Sequence, residues 1–168
     1  MMRIEVTYLC KELPKDLEKV PHEKIEQGYL SDKPDPLRFR RMGDKCSITR
    51  KVIIVPGDLS FRDYILIETY KEEFEKIWPL MIKTLKKTRY YYSQKMGGPE
   101  IRIDVFDGNL EGFVLIELIF ADENEMRNFK KPGWFGADVT ALVELTNPSV
   151  AGKKFKDLEP IIKKYSQK

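Results

Sequence analysis

Charged residues recur at alternate positions of strand-like segments of this 168-residue chain: Arg3 and Glu5, Arg38 and Arg40, Lys51, Arg62 and Glu68, Lys87 and Arg89, Arg102 and Asp104, and Glu117. A β-strand turns successive side chains to opposite faces, so alternate residues share a face. Gathered on one face, these residues give eight cations (Arg3, Arg38, Arg40, Lys51, Arg62, Lys87, Arg89 and Arg102) and four anions (Glu5, Glu68, Asp104 and Glu117). Like charges about 5 Å apart repel by roughly 3 kcal/mol at an effective dielectric near 20. Such a set calls for a counter-anion. Arginine suits that task because its fork holds phosphate bidentately and stays ionised. A short, linear, highly charged anion fits a narrow lumen better than a duplex nucleic acid does.

The plainer alternative is a sheet with one wet face and one core face, the usual antiparallel arrangement. Two details weigh against it. Surface positions elsewhere are mostly lysine and glutamate, yet six of the nine arginines fall on the face described. The opposite parity is also apolar on several strands (Ile4 and Val6; Leu37 and Phe39; Ile101, Ile103 and Val105; Val114, Ile116, Leu118 and Phe120), as a face covered by helices would be.

The elements that must position these residues are mostly short strands. Alternation predicts strands over 2–9, at Tyr29-Leu30, and over 37–40, 46–54, 62–69, 88–93, 100–106 and 113–120. Pro56-Gly57-Asp58 and Met96-Gly97-Gly98-Pro99 read as turns, and the lysine/glutamate mixture between Pro14 and Pro21 and beyond as loop or short helix. Helical spacing of Phe74, Ile77, Trp78 and Met81 predicts a helix over 71–83, with Pro79 kinking or ending it. Further helices are expected over 123–129 and near 155–165. Eight short strands at regular spacing imply an α+β, mostly β fold: an eight-stranded antiparallel closed tunnel barrel with a few outer helices, in which closure removes exposed edges.

Composition sets the bounds. The chain is 19.8 kDa, 42% hydrophobic, and carries a net charge of +3. One domain spanning residues 1–168 is expected. No apolar run approaches a membrane span, and the charged first strand does not read as a signal peptide. Two cysteines, Cys10 and Cys46, make no disulfide framework, so a cytoplasmic location is expected. One histidine, His22, excludes a His-rich metal site.

The order of short motifs resembles the CYTH domain, the triphosphate tunnel metalloenzyme family. They run Ile4-Glu5, Gln27-Gly28-Tyr29-Leu30, Leu37-Arg38-Phe39-Arg40, Ile48-Thr49-Arg50-Lys51, Arg62, Lys87-Thr88-Arg89-Tyr90, Ile103 to Phe106, Gly112 to Glu117, Pro132 to Thr140, and Asn147 to Ala151. The resemblance covers most of the chain. It implies a tunnel that binds triphosphate or polyphosphate, hydrolysing tripolyphosphate, thiamine triphosphate or nucleoside triphosphates with Mg2+ or Mn2+; ATP cyclisation, as an adenylate cyclase, is the lesser expectation. It further implies that Arg3, Arg38, Arg40, Lys51, Arg62, Lys87 and Arg89 bind substrate, that Glu5 and Glu117 are catalytic, and that Glu5, Asp104 and Glu117 ligate metal. Homodimerisation is common among small members. Neither nucleic acid nor membrane is expected as a partner.

The chain departs from the family pattern in its acids. The first strand, Glu-x-Glu-x-Lys in the family, reads Arg3-Ile4-Glu5-Val6-Thr7. Tyr64, Leu66 and Ile119 stand where glutamates are usual. The cationic half of the site is nearly complete and the carboxylate half is thinned. Hence two readings stand: a metal-dependent triphosphatase, and a non-catalytic binder of polyphosphate or a triphosphate ligand.

Overall fold

The computed structural model describes residues 3–33, 35–93 and 98–166, with backbone alone for Arg3 and for residues 53–55 and 58–62. The strands are β1 (Arg3–Cys10), β2 (His22–Tyr29), β3 (Arg38–Met42), β4 (Lys45–Val55), β5 (Asp58–Thr69), β6 (Lys83–Tyr91), β7 (Glu100–Phe106), β8 (Val114–Phe120) and β9 (Phe135–Asp138). The helices are α1 (Lys71–Ile77), α2 (Glu123–Asn128), α3 (Asn147–Val150) and α4 (Phe155–Ser166). All nine strands form one antiparallel sheet in the order β5-β4-β3-β2-β6-β7-β8-β1-β9. Strand β1 also pairs with β5, with Arg3 opposite Arg62 and Ile4 opposite Phe61.

Among the described residues nine strands replace the eight expected. The added β9 is four residues long and pairs with β1 through Tyr8↔Asp138 and Cys10↔Phe135. Gly136 permits that approach, because a Cβ there would lie 2.9 Å from the Leu9 carbonyl oxygen. Strand β2 is also far longer than the Tyr29-Leu30 fragment expected. Its charges mimic a loop, but Glu26 pairs across the ladder with Arg41 on β3 and with Lys86 on β6 at 2.9 Å. Such cross-strand pairs stabilise sheets.

The helix expected over 71–83 ends at Ile77. Pro79 lacks a donor, and a 3-10 turn over Trp78–Leu80 follows. Strand β6 therefore starts at Lys83, five residues before the expected Thr88. The turn expected at Met96-Gly97 lies outside the described residues. Among the described residues no helix is long and apolar enough to cross a membrane.

The apolar parity is largely buried as expected, with Leu37, ahead of β3 and 40% exposed, the exception. Ile4, Val6, Ile101, Ile103, Ile116, Leu118 and Phe120 join Phe135 in one core. Leu85, Phe106, Phe113 and Leu115 join Leu145, Val150 and Leu158 in a second. Behind β3 and β4 a smaller cluster gathers Phe39, Cys46 and Phe74. There the Trp78 ring stacks on Phe74 with centroids 5.0 Å apart. Trp134 sits in the first core, its centroid 5.5 Å from that of Tyr92.

Candidate polyanion site

Strand register puts the polar parities side by side. Arg38 is opposite Thr49 on β3–β4, and Lys51 is opposite Tyr64 on β4–β5. Arg89 is opposite Asp104 on β6–β7, Arg102 opposite Glu117 on β7–β8, and Thr7 opposite Glu117 on β1–β8. Glu5, Arg38, Arg40, Thr49, Lys51, Asp63, Tyr64, Leu66, Arg89, Arg102 and Glu117 line one cavity of about 330 Å³. A second cavity of about 340 Å³ continues from it toward Thr7, Tyr29, Leu142 and Asn147.

One side of the site is saturated with ion pairs. The Arg89 guanidinium donates to Asp104 through two bonds of 2.7 Å and to Glu117 Oε2 at 2.6 Å. Lys87 Nζ donates to Asp104 Oδ2 and, at 3.1 Å, to Asn147 Oδ1. Lys87 and Asp104 are fully buried. Burial pulls the Lys87 ammonium below its ordinary value, against the pull of Asp104. For Arg89 burial acts in the same direction, but Asp104 and Glu117 outweigh it and hold the guanidinium well above its ordinary value. Burial pushes Glu117 up, yet Arg89, Lys87, Lys51 and Arg102 overcome it and leave the carboxyl well below the usual range.

The opposite side is different. The side chains of Arg38 and Arg40 have no hydrogen-bond or ion-pair partner among the described residues. Burial, with Arg38, Arg89 and Arg102 close by, lowers Arg40 to about 10. This is the signature of crowded like charge in a poorly solvated place. Between the two sides stands Glu5, which accepts from the Tyr64 hydroxyl and from Lys51 Nζ at 3.4 Å.

The structure thus gathers Glu5, Arg38, Arg40, Lys51, Arg89 and Glu117 at one cavity. It sets Lys87 and Asp104 behind the cavity wall, in a buried pair with each other. The side chains of Arg3 and Arg62 lie outside the described residues. Thr49 and Tyr64 are not among the expected binding residues, although they share parity with Lys51 and Arg62, which are; Arg102 is one of the eight cations of the shared face but not one of the expected substrate ligands. Arg102 also donates to Glu100 at 2.6 Å.

For a metal, the donor set is narrow. Among the described residues no group of three or more acidic, histidine or cysteine side chains converges. Both Asp104 oxygens are taken. Of the acidic residues lining the cavity, Asp63 accepts from the Tyr64 amide at 2.8 Å, and Glu5 and Glu117 fit one hard ion that also takes phosphate oxygens, the usual pattern for magnesium. They do not make a two-ion site.

No protein-family model matches the chain. The chain is 34% identical over 156 residues to an inorganic triphosphatase of Nitrosomonas europaea, covering 90% of this chain and 97% of that protein. The chain belongs to the inorganic triphosphatase family. A second inorganic triphosphatase, from Acetivibrio thermocellus, is 29% identical over 135 residues, covering 79% of this chain and 83% of that one. A crystal structure described as an inorganic triphosphatase superposes with TM-score 0.66 at 28% identity, over 89% of this chain and 93% of its own. A conserved protein of Pyrococcus furiosus shares the fold at TM-score 0.51 and 19% identity, over 74% of this chain and 82% of its own.

Proposed function

We propose that this chain hydrolyses a phosphoanhydride bond of a triphosphate, inorganic tripolyphosphate foremost, held in a cationic tunnel of the CYTH type within one domain over residues 1–168. The observation that carries this reading is the unpartnered Arg38–Arg40 pair facing Arg89 and Arg102 across one cavity. Pairing of β1 with β5, the opposite end of the strand order, supports a sheet curled into that tunnel. Family membership supports the reaction class.

The residues divide the work. Arg38 and Arg40 bind non-bridging phosphate oxygens, where charge-assisted bonds are strongest. Arg102 and Lys51 add positive potential as negative charge builds on the leaving phosphate oxygen. Tyr64 fixes Glu5 by donating to it, and Arg89 fixes Glu117. In hydrolysis, water adds to the terminal phosphorus, the bond to the bridging oxygen breaks, and tripolyphosphate yields pyrophosphate and phosphate. One Mg2+ or Mn2+ ion at Glu5 and Glu117 would neutralise phosphate charge and polarise the attacked group.

The second reading, a non-catalytic binder, is favoured by one observation: Glu117 is tied to Arg89 and Glu5 to Tyr64, so neither carboxylate is idle. Phosphate release from tripolyphosphate and from ATP, with Mg2+ or Mn2+, separates the two. Turnover above a Glu117→Ala control is expected. Tight binding without turnover would hand the site to the binder reading, and absence of both would end both.

A further inference from the structure

We propose that Thr49 is a positioning residue for the phosphate chain: its hydroxyl donates to the phosphoryl group seated where the two cavities meet. The inference rests on the triphosphate reading above and adds a residue to it.

Four residues line both cavities: Arg38, Thr49, Lys51 and Glu117. Three are charged and Thr49 is the fourth. It is 1% exposed, and its Oγ1 has no hydrogen-bond partner among the described residues. The Nε of Arg38, directly opposite it on β3, is likewise buried and unpartnered. Buried polar side chains in folded proteins are normally hydrogen-bonded, because leaving one unmade forfeits its hydration. Two orphaned groups side by side mark a place that something else completes.

The chemistry of the partner follows from the donors. A guanidinium N–H, an ammonium and a hydroxyl converge there, and an oxyanion with several lone pairs satisfies all three. Glu117 on the same rim is acceptor-only and cannot donate to such an anion, so the Thr49 hydroxyl adds a donor beside Arg38 and Lys51. Thr49 lines both cavities, which puts it at their junction. A chain threaded from one cavity into the other therefore places an internal phosphoryl beside Thr49.

The experiment compares Thr49→Val, which keeps the β-branched shape without the hydroxyl, with Thr49→Ser, which keeps the hydroxyl. Calorimetric titration with tripolyphosphate and the ligand-free thermal midpoint are measured on the full chain. Thr49→Val should bind about tenfold to a hundredfold more weakly, the worth of a bond to a charged group. Its midpoint should hold or rise, since an unsatisfied buried hydroxyl is gone. Thr49→Ser should bind within about twofold of wild type by the same reasoning. Unchanged affinity in Thr49→Val would overturn the proposal, as would a lowered midpoint with affinity that serine does not restore. An Arg38→Ala/Arg40→Ala variant that binds tripolyphosphate like wild type would instead overturn the underlying site, whatever Thr49 does.

Discussion

The wall made by β6, β7 and β8 and the wall made by β3 and β4 carry the same kinds of side chain and treat them oppositely. On the first, Arg89, Asp104, Lys87 and Glu117 close on one another. On the second, Arg38 and Arg40 face the cavity without partners among the described residues. The packing behind them differs in parallel. Large apolar clusters back the paired wall, whereas Phe39, Cys46 and Phe74 are the buried residues of the cluster behind the other. Internal pairing makes a charge part of the scaffold; leaving it unpaired keeps its interaction energy for a ligand. The costly cations are placed where the scaffold depends on them least.

The largest test breaks the paired wall. Asp104→Ala leaves Lys87 and Arg89 buried without their shared anion. Such losses cost about 3–5 kcal/mol, so the thermal midpoint should fall by about 10 °C; a change within about 1 °C would dissolve the distinction. Arg38→Ala/Arg40→Ala on the other wall breaks no ion pair among the described residues and relieves crowded, poorly solvated like charge, so stability should hold or rise. The same variant should lose tripolyphosphate binding by about a hundredfold or more, read by calorimetric titration.

Glu117 joins the walls, so its titration sharpens the contrast. Its folded carboxyl lies below the ordinary 4.5. The unfolded chain therefore binds more protons in acid, and the stability Glu117 contributes is present above that pH and fades as pH falls through it and below. Chemical denaturation across that window should show a shallower acid limb in Glu117→Gln than in wild type. Parallel limbs would mean that Arg89 does not hold Glu117 ionised.

The sequence made the inward face legible, because a strand period of two is a local property: Arg38 with Arg40, Lys51, Glu5 and Glu117 could be placed on one side without knowing strand order. Depth was not legible. Lys87 has the same parity as Arg89, yet Asn147, sixty positions on, covers it and Asp104 receives it. Pairing was equally hidden, since nothing local to Arg38 or Arg89 says that one meets carboxylates and the other none. Strand β2 was obscured because Glu26 is charged for its neighbours Arg41 and Lys86 rather than for solvent. Strand β9 was missed because four residues carry too little alternation to stand out.

The two tryptophans fall on opposite sides of this divide. Trp78 rests on Phe74 behind β3 and β4, and Trp134 lies beside Tyr92 and Phe135 in the core behind β1, β7 and β8. A chain keeping only the first indole therefore emits from the lightly backed half, and one keeping only the second from the other. Intrinsic fluorescence can then time the loosening of each half separately, with no dye attached.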